Sequence, residues 1–333
     1  MVAFEDYLDS LSDLVKKEEV LVFVENNNDV NFWNQAFREN IKYKNFKFTI
    51  GPASRLEHGS SALKSIPATK HALRCRDQDF TVFNNLRRDY NKHDNFTITT
   101  VAYSRDNLTA FIREEDSLIF EIFLTYKVRF NSVLKSILAC LEGLLPVSAY
   151  HVLKKVSGCS NADIKTALSI RDFRIIETNG SANLDEYKAA VSSFLENYTP
   201  SGKMPELVQT YRTKFGLSAE EAAFYGLNGH FILEEIVVPL FAQFLIAWLN
   251  NEIEAINAQP GTKARKEQII KETKNRIFKQ HIVAMLPKEP NEWPGNKMLL
   301  SWVHDRFVSR NIDFNSGMAV YVKNQINNWY SLF

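Results

Sequence analysis

Three acidic residues, Glu25, Asp77 and Asp79, each come just after an apolar run of the kind that forms a β-strand. Glu25 ends the run EVLVFV that begins at residue 19, and the two aspartates follow HALRCR, residues 71–76. Open α/β sheets bind their ligands outside the carboxyl ends of their strands, which is where such residues would lie. Spaced i and i+2, the two aspartates point the same way if the backbone there stays extended. Three carboxylates at one sheet edge make a hard-oxygen site, suited to Mg²⁺ or Mn²⁺ and not to zinc. The chemistry of such a site is phosphodiester displacement, in which the ion polarises a phosphoryl oxygen, activates a water and steadies the leaving oxygen. Each acid taken singly reads more simply as a solvated edge or a helix cap. The order strand, Glu, turn, helix, strand, helix, strand, Asp-x-Asp is what points to a site.

The elements that must position these residues follow from hydrophobic period. Residues 20–24 read as a buried strand, residues 29–38 (DVNFWNQAFR) as an amphipathic helix with Asp29 as its N-cap, and residues 46–50 as a second strand. A short helix over 59–66, a third strand over 71–76 and a fourth over 96–102 complete an alternation that implies a mostly parallel sheet flanked by helices, an α/β fold. After about residue 116 the apolar residues recur at helical spacing, as in residues 133–145 and 184–195. The expected division is therefore a sheet domain over 1–115 and a large α-helical region over 116–333. Within the latter, residues 258–267 read as a polar break between helices, and Gly229 and Gly295 each lead an apolar helix.

Composition excludes several classes. The chain has 333 residues, 45% hydrophobic and 24% charged, with a formal net charge of +1, so any nucleic-acid surface must be a local patch on a balanced background. Cys75, Cys140 and Cys159 match no metal-ligand spacing, and their odd number fits no disulfide framework; a reducing cytoplasm is expected. The acidic N-terminus lacks the basic start and apolar core of a signal peptide. The most apolar run, residues 236–249, is shorter than the roughly 20 residues of a membrane span and reads as a core helix, so no membrane contact is expected. No Ser-His-Asp order, P-loop or dinucleotide fingerprint occurs.

Four segments, VFVE ending at Glu25, NNNDVNFW over 26–33, RDQDF over 76–80 and YSRDNL over 103–108, together resemble the TOPRIM fold. The version they resemble is carried by the nuclease effectors of PARIS-type antiphage defence, which accompany ABC-type ATPases of the overcoming-lysogenization-defect kind. The resemblance spans about residues 19–110. It implies a divalent-metal site with Glu25 as first acid and Asp77 and Asp79 as the pair. Asp106 stands where the family often has glutamate, beside the shared Asn107, and Asp29 matches a further acidic position. Asn26 stands where TOPRIM proteins usually have glycine, and asparagine is the side chain next best able to adopt positive φ. Relatives often have a lysine after the glycine matching Gly59; here Ser60 follows, and Lys64 lies one helical turn on.

The resemblance further implies a tRNA or other nucleic-acid substrate, an ATPase partner that holds a toxic effector in check, and a homodimer when active. Two other readings stand beside it: another TOPRIM chemistry such as nucleotidyl transfer, and a catalytically silent TOPRIM module that binds the ATPase or senses a signal. The remaining candidates have plainer roles. His230 reads as a cap or packing residue. Lys127, Arg129 and the basic residues between 263 and 276 read as solvated helix surface. Trp33, Trp248, Trp293 and Trp302 read as core.

Overall fold

The computed structural model describes residues 19–40, 46–53, 60–79, 86–110, 161–176, 183–197, 204–277, 297–308 and 311–333. It forms two compact units: Met1–Leu108 with Asn311–Phe333, and Thr109–Arg310. Both the expected α/β sheet and the expected helical region are present. The helix expected over 133–145, together with Cys140, Cys159, Lys127, Arg129, Trp293 and the glycines 59 and 295, lies outside the described residues.

The first unit is built on four parallel strands, β1 (Glu19–Val24), β2 (Lys47–Pro52), β3 (Ala72–Arg76) and β4 (Thr97–Thr99), in the order β2-β1-β3-β4. The alternation read from the sequence is the alternation seen. Val20, Val22 and Val24 of β1 and Leu73 and Cys75 of β3 are buried, and every second residue between them is less so. Helix α1 (Val30–Asn40) puts Phe32, Trp33, Ala36 and Phe37 into the core, one face of a 3.6-residue period. Helices α2 (Ser60–Lys64) and α3 (Arg105–Ala110) follow β2 and β4 in the chain.

The C-terminal segment returns to the sheet unit instead of continuing the helical region, which departs from the expected division at residue 115. Helix α11 (Ala319–Tyr330) buries Trp329 completely, its ring 6.0 Å from both Phe37 and Phe48 and its indole N–H donating to the Lys70 carbonyl at 2.9 Å. It also answers a problem that any edge strand has. β4 is the last strand of the sheet, and among the described residues its outer backbone groups have no strand partner. The fully buried amide of Gln325 takes that place: Oε1 accepts from the Thr99 N–H at 3.2 Å and Nε2 donates to the Thr99 carbonyl at 3.0 Å. One side chain thus satisfies both main-chain groups of a residue. Nothing local in residues 319–330 shows this, because the pairing joins positions 226 residues apart.

The second unit contains helices α4 (Asn161–Leu168), α5 (Asp185–Asn197), α6 (Met204–Phe215), α7 (Ala219–Gly226), α8 (Gly229–Ala258), α9 (Lys263–Ile277) and α10 (Lys297–Val308). Helix α8 is long and apolar enough to cross a membrane, yet 89% of its most apolar window is buried within the protein, as a core helix requires. Its Ile232–Val237 stretch is a π-helix that leads directly into Pro239. Proline has no N–H for the carbonyl one turn back and its ring crowds that turn, so the helix widens just ahead of it. Inside this unit the Gln243 amide closes a loop: Oε1 accepts from Ile175 N–H at 2.8 Å and Ile176 N–H at 3.1 Å, and Nε2 donates to the Phe173 carbonyl at 2.7 Å. Buried Glu235 meets Lys165 at 2.7 Å and accepts from the Ser169 hydroxyl at 2.6 Å.

The C-terminal helix should therefore be essential to the sheet unit. Trp329→Ala is expected to destabilise it by about 3–5 kcal/mol through cavity formation. Gln325→Leu, which leaves both Thr99 backbone groups unpaired, is expected to lower stability by about 1–3 kcal/mol. Urea unfolding followed by tryptophan fluorescence measures both, and a loss within error of zero for Gln325→Leu would remove its edge-sealing role.

Candidate functional site

The strand order explains why the acids meet. The chain leaves β1 for β2 on one side and then returns to β3 on the other, so the connections diverge between β1 and β3. In parallel sheets this switch opens a crevice at the carboxyl edge. Glu25 is the first residue after β1, and Asp77 the first after β3. The two lie on adjacent strands at the same edge.

Glu25 is half-buried, and its Oε1 is enclosed without any hydrogen-bond partner. Burial, reinforced by the charges of Asp79 and Asp29 and opposed by Arg76, pushes its pKa up to about 7. The Asp77 carboxyl is also driven well above the ordinary carboxylate range, chiefly by burial and then by the charges of Asp29, Asp79, Asp106 and Glu25. Its Oδ1 accepts the Arg105 main-chain N–H at the first turn of α3, at 2.9 Å. The other four carboxylates named in the sequence reading thus all act on Asp77.

The local backbone differs from expectation at two points. The extended path that would aim Asp77 and Asp79 the same way is not followed. Asp79 has φ 49°, a left-handed conformation, and its N–H donates to the Tyr103 carbonyl at 2.7 Å while Gln78 between them is buried against Thr99. The connection from Thr99 to Tyr103 bends sharply too, with Val101 at φ 66°, an outlier for a β-branched residue. Conversely, Asn26, expected to supply positive φ, is extended at φ −141°. A short 3₁₀ turn, Asn27–Asp29, separates strand from helix, so the N-cap is Asn26 and not Asp29. Asp29 closes a capping box instead, its Oδ2 accepting the Asn26 N–H at 2.8 Å.

One residue that the sequence reading passed over organises the acids. The Arg105 guanidinium pairs with Asp29 Oδ1 at 2.8 Å, lies 3.7 Å from Asp106 Oδ1, and donates to the Asn28 carbonyl. Arg105 therefore brings a positive charge into the cluster and ties the β1–α1 turn to the head of α3. The signal was its place beside Asp106 in YSRDNL. Asn107 has a local role: its Oδ1 accepts from the Ser104 N–H at 2.8 Å and the Ser104 hydroxyl at 3.0 Å, closing the first turn of α3. Lys64, the last residue of α2, is exposed and lies with the arginines of β3 and not with the acids.

The donor chemistry fits a hard divalent cation. The groups are carboxylates alone, one buried oxygen lacks a partner, and proton affinity is raised where a metal would compete for the same oxygens. Among the described residues, however, no three acidic, histidine or cysteine side chains close around one point. The acids share an edge without forming a finished cage.

The raised carboxylate pKa values set a pH dependence. A folded chain that holds protons more tightly than the unfolded one gains stability below the ordinary value near 4.5 and loses it as pH rises through about 7. Melting temperature is expected to fall from about pH 5 to about pH 8, and Glu25→Gln should flatten part of that fall and raise stability at the alkaline end. Added Mg²⁺ or Mn²⁺ should restore the parent more than the variant. Thermal unfolding across pH checks this, and a parent and variant with parallel profiles would contradict it. Compared with known proteins, the chain matches no family model and no curated protein.

Proposed function

We propose that the protein is a divalent-metal-dependent nuclease of TOPRIM type, cleaving phosphodiester bonds of RNA, with tRNA favoured, or of DNA. The observation that carries this reading is the partnerless buried Oε1 of Glu25, raised to about pKa 7, at the sheet's switch point beside Asp77 and within the field of Asp79 and Asp29. Natural proteins leave few buried polar atoms unsatisfied, and those that remain need a reason. Glu25, Asp77 and Asp79 would hold Mg²⁺ or Mn²⁺. A cation there supplies Lewis acidity toward a phosphoryl oxygen and an activated water. The chain's own part is to gather negative charge, exclude water from Glu25, and keep a carboxyl that exchanges its proton near neutral pH. Arg105 steadies Asp29 and the α3 turn that binds Asp77.

Within this reading the protein is a toxic effector of antiphage defence, restrained by an ABC-type ATPase of the overcoming-lysogenization-defect kind and active as a cytoplasmic homodimer. A specific observation favours a second reading, a catalytically silent module that binds the ATPase or senses a signal: a cation is already supplied to the acids by Arg105, and no three of the described side chains surround one point.

Incubating the purified protein with total tRNA, single-stranded DNA and duplex DNA, in Mg²⁺, Mn²⁺ or EDTA, separates them. Cleavage in metal and none in EDTA is expected, with Glu25→Ala and Asp77→Asn lowering the rate by more than about a hundredfold while leaving melting temperature within a few degrees. Metal-independent indifference to all three substrates, with or without the ATPase, would sink the nuclease and leave the silent module.

A further inference from the structure

Strand β3 has a second chemical face. Leu73 and Cys75 point into the core, so Arg74 and Arg76 project from the opposite side, level with Thr97 and Thr99 of β4. There the sheet unit holds a pocket of about 170 Å³ whose described lining includes Lys64, Arg74, Arg76, Arg88, Asp94 and Thr97. Among the described lining residues, four cationic side chains stand with one carboxylate, in a chain whose formal net charge is only +1. In the sequence these residues lie in three separate stretches, around 64, 74–76 and 88–97, and form no basic run.

The cations are held in place. Arg74 donates through Nε to the Thr97 hydroxyl at 3.1 Å and through Nη2 to the Asn95 carbonyl at 3.5 Å. Arg88 donates to the Thr97 carbonyl at 3.1 Å and lies over the Tyr90 ring, 5.4 Å from its centroid. Asn95, which lines the pocket, and Phe96 beside it stand at φ 45° and 54°, two successive non-glycine residues in the left-handed region. The Nε of Arg76 is buried with no hydrogen-bond partner. An unsatisfied buried donor is costly, more so when charged, and a bound anion would remove that penalty. The volume is well below the roughly 300–1,000 Å³ of sites that enclose drug-sized ligands, and suits one tetrahedral anion gripped by guanidinium forks.

We infer that this pocket binds a phosphate of a nucleic-acid backbone, with Arg76 linking it to the acidic edge that begins at Asp77. The phosphate chemistry stands on the pocket alone; its assignment to nucleic acid rests on the nuclease reading. Arg76 adjoins Asp77 in sequence and acts on Glu25, so a strand anchored here would pass the carboxylates with a neighbouring phosphate.

The test uses the full chain carrying Glu25→Ala, in EDTA, so that binding is read without cleavage. Fluorescence anisotropy with labelled single-stranded RNA and DNA is measured over a salt series. Adding Arg76→Gln should weaken binding about tenfold and make the log–log salt slope shallower by about 0.7 per phosphate contact removed. Lys64→Glu, at an exposed position that folding does not need, should act in the same direction, and millimolar inorganic phosphate should compete. Unchanged affinity and slope in Lys64→Glu and in a folded Arg76→Gln would overturn the proposal, as would phosphate binding in the absence of any oligonucleotide binding. If the parent proves unable to cleave yet the salt slopes respond as expected, the pocket stands and the nuclease reading falls. If cleavage occurs but the slopes do not respond, the reverse holds.

Discussion

The sheet unit is organised around like charges held together where water is scarce. Five carboxylates, Glu25, Asp29, Asp77, Asp79 and Asp106, come to one edge of a parallel sheet, and their mutual field and burial drive Glu25 and Asp77 toward the protonated form. Such a cluster opposes folding unless protons, arginines or an external cation offset it. Arg105 provides one offset from within the edge, and Arg76 another from the adjoining face of β3.

The rest of the unit's construction is mostly apolar. The β1 valines, Leu73 and Cys75 are buried, α1 lies against β2 and α11, and α11 returns from the end of the chain to place Trp329 beside Phe37 and Phe48 and to pair Gln325 with the open edge of β4. A three-residue strand such as β4 has little hold of its own. The amide of Gln325 supplies the main-chain partners it lacks, and the Thr99–Tyr103 bend that receives Asp79 begins where that support ends. Support for this edge of the sheet therefore comes from the far end of the chain.

The two faces of β3 divide the labour. Its carboxyl end carries Asp77 into the acidic edge, while its side chains one and three residues earlier, Arg76 and Arg74, build the basic pocket. Under the proposed nuclease reading, positive and negative groups only a residue apart would give attraction for a phosphate backbone and an anionic edge for a cation at one phosphate. The near-zero net charge of the chain hides both.

What the amino-acid sequence determined by itself was periodic or positional. Short apolar runs marked β1 and β3, the 3.6-residue repeat marked α1 and α5, and the acids were legible because they follow those runs, as β1 ends at Val24 before Glu25 and β3 at Arg76 before Asp77. Tertiary structure decided everything that depends on closure in space. The left-handed Asp79 is fixed by its N–H donating to the Tyr103 carbonyl, a partner well removed along the chain, whereas the capping box at Asn26 is local. Arg105 became part of the site only when α3 was laid against the β1–α1 turn, and Gln325 and Trp329 entered the sheet unit only when α11 crossed back over it. Local periodicity is set by bonds between near neighbours and can be read along the chain. The partner of a charge or of an edge strand is set by the fold's path through space, and one sequence without its fold does not contain that distance.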